Sequence, residues 1–199
     1  AVLGALTLPV AAFTGATVAI GIVLAMSSRQ GRLLPVRLIL VGVAFGHLFA
    51  GITSFVLART DSSAAQQQII FWLLGGLSGT NWATLPIPAV VVGVVAGLLL
   101  MRARRLNALV LGEEASAALG LNASRQRWYL LILVTLLTGT VVAVSGGIGF
   151  VGLIVPHLAR MLVGADHRRM LPVTVVLGAL FLLWADVAAR ILISPAELP

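Results

Sequence analysis

The chain has 199 residues, of which 60% are hydrophobic and 10% charged, with a mean hydropathy of +1.11. A soluble domain is near half apolar and a quarter charged, so this composition excludes an ordinary soluble domain and points to an all-α, polytopic transmembrane helix bundle. The net charge of +7 rests on thirteen arginines without a lysine, and the absence of cysteine excludes disulfides, thiol catalysis and thiolate metal sites.

Strand alternation is absent, which argues against an outer-membrane barrel. The arginines gather in loops, so the positive balance reads as membrane orientation rather than nucleic-acid binding. No signal peptide is legible. The chain opens inside an apolar run and reads as one transmembrane domain over 1–199, a fragment of a longer membrane protein.

In chain order, Ala1–Met26 is apolar and long enough to span a bilayer core, which takes ~20 helical residues. The loop Ser27–Arg37 carries Arg29, Arg32 and Arg37 and no acid, which places it in the cytoplasm. Val36–Ala58 is the second span. Its Gly42 and Gly46 form a G-x-x-x-G pair, read either as a close helix approach or as general glycine richness. His47 in the same span reads as a packed or hydrogen-bonded residue, not a ligand. The polar stretch Arg59–Gln68, with Arg59 against Asp61, faces outward. Ile69–Leu85 is too short and too glycine-rich to span. It reads as a short helix and a glycine loop at the outer surface, with Trp72 and Trp82 at the interface. Pro86–Met101 is the third span.

Met101–Arg127 differs most from its surroundings. Arg102, Arg104, Arg105, Arg125 and Arg127 bracket a mildly amphipathic core, which puts the segment 102–127 on the cytoplasmic face. The pattern predicts two short helices, Leu106–Leu111 and Glu113–Leu119. Gly112 is the joint, Gly120 the C-terminal stop, and Glu113 and Glu114 stand in the second helix's first turn, where negative charge suits the macrodipole. Such a segment either presents a face to a partner or only anchors the bundle. Trp128–Val144 is the fourth span. Pro156 should then break or kink the helix between Phe150 and Val163. Arg160, Arg168 and Arg169 return the chain to the cytoplasm, and Leu171–Ile193 is the last span, with Ser194–Pro199 outside. Basic loops thus alternate with near-neutral ones along about six spans.

Ionisable groups inside a membrane are costly and need a reason. Asp186 and Arg190, four apart on one helix, can meet. A self-neutralised pair near the outer interface is the preferred reading over a gate or ion path. His157 has no nucleophile close in sequence. Serine-protease, H-E-x-x-H, paired-aspartate and nucleotide-loop patterns are all missing. Catalysis and a resident metal are therefore not expected, and a carrier or channel is the default.

LNALVLGEEASAALGLN resembles the cytoplasmic coupling segment of the permease subunits of bacterial ABC importers for iron–siderophores, haem and cobalamin, with the pattern L-N-x-L-x-L-G-E-x-x-A-x-x-L-G. GGIGFVGLIVPHLARMLVGADHRRMLP is similar to that family's second signature, which includes Gly149, Pro156, His157 and Arg160 and ends in D-H-R. FWLLGGLSGTNW resembles its periplasmic stretch, and LLWADVAAR with AELP its penultimate helix and following loop. The similarity extends over essentially all 199 residues. It implies the type II ABC importer permease fold, with about six of about ten spans present. It implies ATPase coupling through Leu106, Asn107, Leu111, Gly112, Glu113, Glu114, Ala115, Leu119 and Gly120. It also implies a cytoplasmic gate at Leu34, Pro35, Val36 and Arg37, where Pro35 and Val36 replace the small hydroxyl residues of some members, and a periplasmic mouth at Trp72, Gly75, Gly76 and Trp82. Expected partners are cytoplasmic ABC ATPase subunits, which would hold the ATP and magnesium, a substrate-binding protein outside, and a second permease subunit in the inner membrane. The implied cargo is an iron–siderophore or similar metal chelate. The alternatives are an ion-coupled carrier or channel, or an intramembrane enzyme.

Overall fold

The computed structural model describes residues 2–29, 32–33, 35–77 and 80–192. Helix α1 spans Val2–Ser27, and a short antiparallel hairpin, β1 (Ser28–Arg29) with β2 (Arg32–Leu33), follows it. Next come α2 (Pro35–Ala58), α3 (Ser63–Leu74), α4 (Pro86–Met101), α5 (Ala103–Val110) and α6 (Glu113–Ala118). The chain then runs through α7 (Ala123–Ser145), α8 (Val151–Val163) and α9 (His167–Leu192).

Helix α7 is the centre of the bundle. Helices α1 and α4 pack on it, and Leu133, Gly139, Thr140 and Ala143 lie on its buried side. Gly139 is a slot for an aromatic ring: a methyl group there would stand 3.1 Å from Phe13 Cδ2. Thr140 satisfies its buried hydroxyl by donating to the Leu136 carbonyl at 2.7 Å. Helix α8 lies against α9 and buries Val155 and Ala159.

Among the described residues four helices are long and apolar enough to cross a membrane: α1, α2, α7 and α9. The other two expected spans are shorter. Helix α4 has 16 residues, and with α5 it forms a pair bent by 62° that can count as a fifth crossing. Helix α8 has 13 residues. It continues unbroken through Pro156, because the backbone simply omits the one bond the ring cannot donate. Helix α9 likewise starts before Pro172, at His167, four residues ahead of the expected Leu171.

Packing gathers the basic loops at one end. Phe13 abuts Gly139, and fourteen residues further along α1, ~21 Å on at 1.5 Å per residue, the hairpin also touches α7. Only six residues of α7 remain beyond Gly139, so the hairpin reaches the other end, near Ala123 and the arginines beside it. Helix α5 contacts α9, which brings the loop before His167 to the same end.

At the opposite end two glycine turns meet backbone to backbone. The Gly76 N–H donates to the Ser145 carbonyl at 2.8 Å. Gly146 has φ +66°, and a Cβ on it would overlap the Trp72 carbonyl oxygen; a Cβ on Gly75 would stand 2.6 Å from the Gly147 oxygen. Only residues without side chains allow this approach. Of the polar stretch before Ile69, residues 63–68 are helical rather than a loop; Ser62 caps α3 by accepting the Ala65 N–H at 3.3 Å.

Helix α2 packs on α1 and exposes the rest of its surface. Nothing lies within 4 Å of a Cβ built on Gly42 or Gly46, so the G-x-x-x-G pair makes no close approach among the described residues. His47 is exposed, not packed.

Gly146→Ala should lower stability by ~2–4 kcal/mol, the sum of a strained positive φ and an overpacked contact. Gly149→Ala, at a position with nothing within 4 Å, should cost under ~1 kcal/mol. Thermal unfolding of the two full-length variants in detergent measures the difference.

Candidate functional site

The expected paired helices are present as α5 and α6. Helix α5 starts at Ala103 rather than Leu106 because the chain turns on Arg102. The Arg102 carbonyl accepts from Arg105 N–H at 2.9 Å and Leu106 N–H at 3.0 Å. Gly112 has φ +102° and forms the joint, after which Glu113 and Glu114 occupy the first turn of α6. Gly120 stops the helix with φ +74°. Its N–H donates to the Ala117 carbonyl at 2.9 Å, and the Leu121 N–H donates to the Ser116 carbonyl at 3.0 Å. That pair of bonds is the Schellman arrangement, which a left-handed glycine makes possible.

Small residues hold this elbow to the bundle. Ala103, Ala108 and Ser116 are buried, and the Ser116 hydroxyl donates within its own turn to the Gly112 carbonyl at 2.8 Å or the Glu113 carbonyl at 3.0 Å. The larger apolar side chains turn outward, with Val110, Leu111 and Leu119 64%, 68% and 62% exposed. Glu113 and Glu114 are exposed beside them. Glu113 is 3.7 Å from the Arg127 guanidinium, a surface pair that adds little to stability.

Asn107 joins this elbow to the start of α9. Its amide donates to Asp166 Oδ1 at 2.7 Å, and its oxygen accepts from the His167 backbone N–H at 2.9 Å. The carboxylate accepts only, which sets the orientation of the amide. His167 Nδ1 lies 2.6 Å from the same amide oxygen, so Nδ1 must carry the proton. Asp166 Oδ1 also accepts from the Arg168 backbone N–H at 3.0 Å. These two donated bonds, Asn107's first, hold the Asp166 carboxyl below its ordinary value, with Arg168 and Arg169 adding attraction. Sequence reasoning placed Asn107 in one signature and Asp166 in another, fifty-nine positions apart. Nothing in the pattern pairs them.

The remaining expected site residues divide between the two ends. Leu34 of the gate lies outside the described residues, as does the AELP loop. Pro35 opens α2 at the first helical position, where its fixed φ and missing N–H fit. Val36 and Arg37 follow, exposed. At the opposite end Trp82 is 88% exposed, whereas the Trp72 indole N–H is buried with no hydrogen-bond partner among the described residues. Gly75 and Gly76 form the α3 side of the glycine contact. In the second signature Gly149 is open, His157 is exposed, and Arg160 sits in the last turn of α8. Asp186 and Arg190 do meet, Nε to Oδ2 at 2.8 Å and Nη2 to Oδ1 at 3.4 Å. Among the described residues no three His, Asp or Glu side chains gather as a metal site.

The whole chain, residues 1–199, matches the FecCD transport family, and it belongs to that family. It is 42% identical over 190 residues to a hemin transport system permease protein of Yersinia pestis, covering 96% of this chain and 56% of that protein. It is 39% identical over 178 residues to a vitamin B12 import system permease of Vibrio cholerae, covering 89% and 53%. To an iron(3+)-hydroxamate import system permease of Bacillus subtilis it is 38% identical over 185 residues, covering 93% and 47%. A solved structure described as an inward-facing conformation of a metal-chelate type ABC transporter superposes with a TM-score of 0.83 at 38% identity, covering 90% of this chain and 57% of that one. The chain therefore spans about half the length of the relatives it matches.

The Asn107–Asp166 bond gives a pH-dependent prediction. A carboxyl whose folded pKa is depressed stabilises the fold above its unfolded pKa, near 3.8, and loses that contribution as pH falls through the folded value. Asn107→Ala should lower the thermal midpoint of the full-length protein at neutral pH. The gap to wild type should narrow as pH falls below ~4. Melting curves from pH 3 to pH 7 measure it.

Proposed function

We propose that this chain is part of the permease subunit of an ATP-binding-cassette importer in the bacterial cytoplasmic membrane, moving an iron–siderophore or similar metal chelate by alternating access. The basic end would face the cytoplasm, where arginine-rich loops remain. A separate ATPase subunit would bind ATP and magnesium and press on α5 and α6. The reading is supported most by the elbow itself: Val110, Leu111 and Leu119 are exposed on a segment whose small residues are buried. Exposed apolar side chains beside two carboxylates suit a protein partner better than open water.

The elbow can move only with what it is bonded to. Through Asn107 it is tied to the loop and first turn of α9, and through the 62° bend it is continuous with α4. A push on α5 would reach two helices together, which suits rigid-body reorientation. Gate residues Leu34, Pro35, Val36 and Arg37 would close the inner side. Trp72, Gly75, Gly76 and Trp82 would line the outer mouth, where a substrate-binding protein docks. A second permease subunit would complete the path.

Reconstitution of the full-length permease with its ATPase in vesicles tests this reading. Glu113→Ala with Glu114→Ala, and separately Leu111→Ala with Leu119→Ala, should each lower ATP-driven uptake by about tenfold, equivalent to ~1.4 kcal/mol of lost contact. Melting temperature should hold. Uptake unchanged in both double variants, or uptake driven by an ion gradient without ATP, would overturn it.

A further inference from the structure

Between the end of α4, the start of α5 and the first turns of α7 lies a cavity of about 440 Å³. Arg102, Arg105, Arg125, Asn122, Gln126 and Tyr129 are among the residues that line it. None of these three arginines makes an ion pair with a carboxylate among the described residues; the ion pairs there are Arg127 with Glu113 and Arg190 with Asp186. Arg102 is instead laid flat on the Tyr129 ring, with its guanidinium carbon 3.6 Å from the centroid. That contact holds one charge in place at the cavity wall. Asn122 caps α7 by accepting the Arg125 N–H at 3.0 Å, so the positive end of this 23-residue helix borders the same space.

We propose that this cavity binds the phosphate of an anionic phospholipid headgroup. Three guanidiniums converging without an acid repel one another, and an anion among them removes that cost. Guanidinium forks match phosphate oxygens two at a time. The volume is in the range of ligand pockets, ~300–1,000 Å³. Position selects a lipid over a soluble phosphate. Arg102 ends one apolar helix and Tyr129 lies six residues into a membrane-length one. The cavity therefore sits at the level of the headgroups, where tyrosine and arginine are at home and basic pockets between helices take lipid phosphates. The bound lipid would brace the bend at Arg102. The inference needs only the membrane placement of α4 and α7 and stands apart from the transport reading.

The test uses the full-length permease in detergent, titrated separately with phosphatidylglycerol, phosphatidylcholine and inorganic phosphate, with bound lipid counted by native mass spectrometry. Phosphatidylglycerol should bind at least tenfold more tightly than phosphatidylcholine, and more weakly as salt rises. Arg102→Gln, Arg105→Gln and Arg125→Gln should each weaken it about fivefold, as expected for ~1 kcal/mol per arginine near an anionic headgroup. Arg104→Gln, outside the cavity lining, should leave it unchanged. Each single variant is checked by its melting temperature, and Arg125→Lys, which keeps the charge but loses the fork, should bind between wild type and Arg125→Gln. Equal binding in wild type and all three glutamine variants overturns the proposal. So does inorganic phosphate binding as tightly as phosphatidylglycerol, which would make the site one for a soluble anion. Loss of lipid on adding the ATPase subunit, with acidic residues of that subunit cross-linking to Arg105, also overturns it and assigns the cavity to the protein partner.

Discussion

The amide of Asn107 is the bond on which the basic end depends. It donates to Asp166 and accepts from His167, joining segments that no helix connects. Asp166 is exposed and Asn107 only half-buried. Its importance is geometric. Without it α5 would be attached to the rest of the bundle through Arg102, through α6 and through its packing on α9. With it the elbow, the loop before α9 and the end of α4 form one block.

The opposite end is built on another principle. There α3 and its following turn meet the end of α7 through backbone: Gly75 on Gly147, Gly146 on the Trp72 carbonyl, and the Gly76–Ser145 hydrogen bond. Backbone contacts of this kind tolerate no side chain and little sliding. Between the two ends Phe13 rests in the Gly139 slot, and α2 packs on α1.

The membrane accounts for the charge pattern. Thirteen arginines stay out of the long apolar helices except near their ends, because an unpaired charge in hydrocarbon is costly. Arg190 has Asp186 one turn before it. Arg102, Arg105 and Arg125 have no such neighbour within the chain's described part, and they surround a cavity at the membrane boundary.

Composition and local pattern were enough for much of this. Apolar runs set the helices, Gly112 and Gly120 marked the joints of the elbow, and Glu113 and Glu114 marked where its second helix begins. These are decided by neighbours within four or five residues, so they can be read along the chain. Pro156 does not break its helix, since a proline removes one bond and the surrounding apolar helix keeps the rest. The polar run before Ile69 misled, because a serine cap and an amphipathic turn look like a loop when only hydropathy is followed. What tertiary structure alone decided is which distant residues meet: Asn107 with Asp166, Gly146 with Trp72, Arg102 with Tyr129 above a shared cavity. Those pairings depend on how α3 meets the end of α7, α5 the start of α9, and α4 the start of α7, and helix packing leaves no mark in the spacing of the residues it brings together.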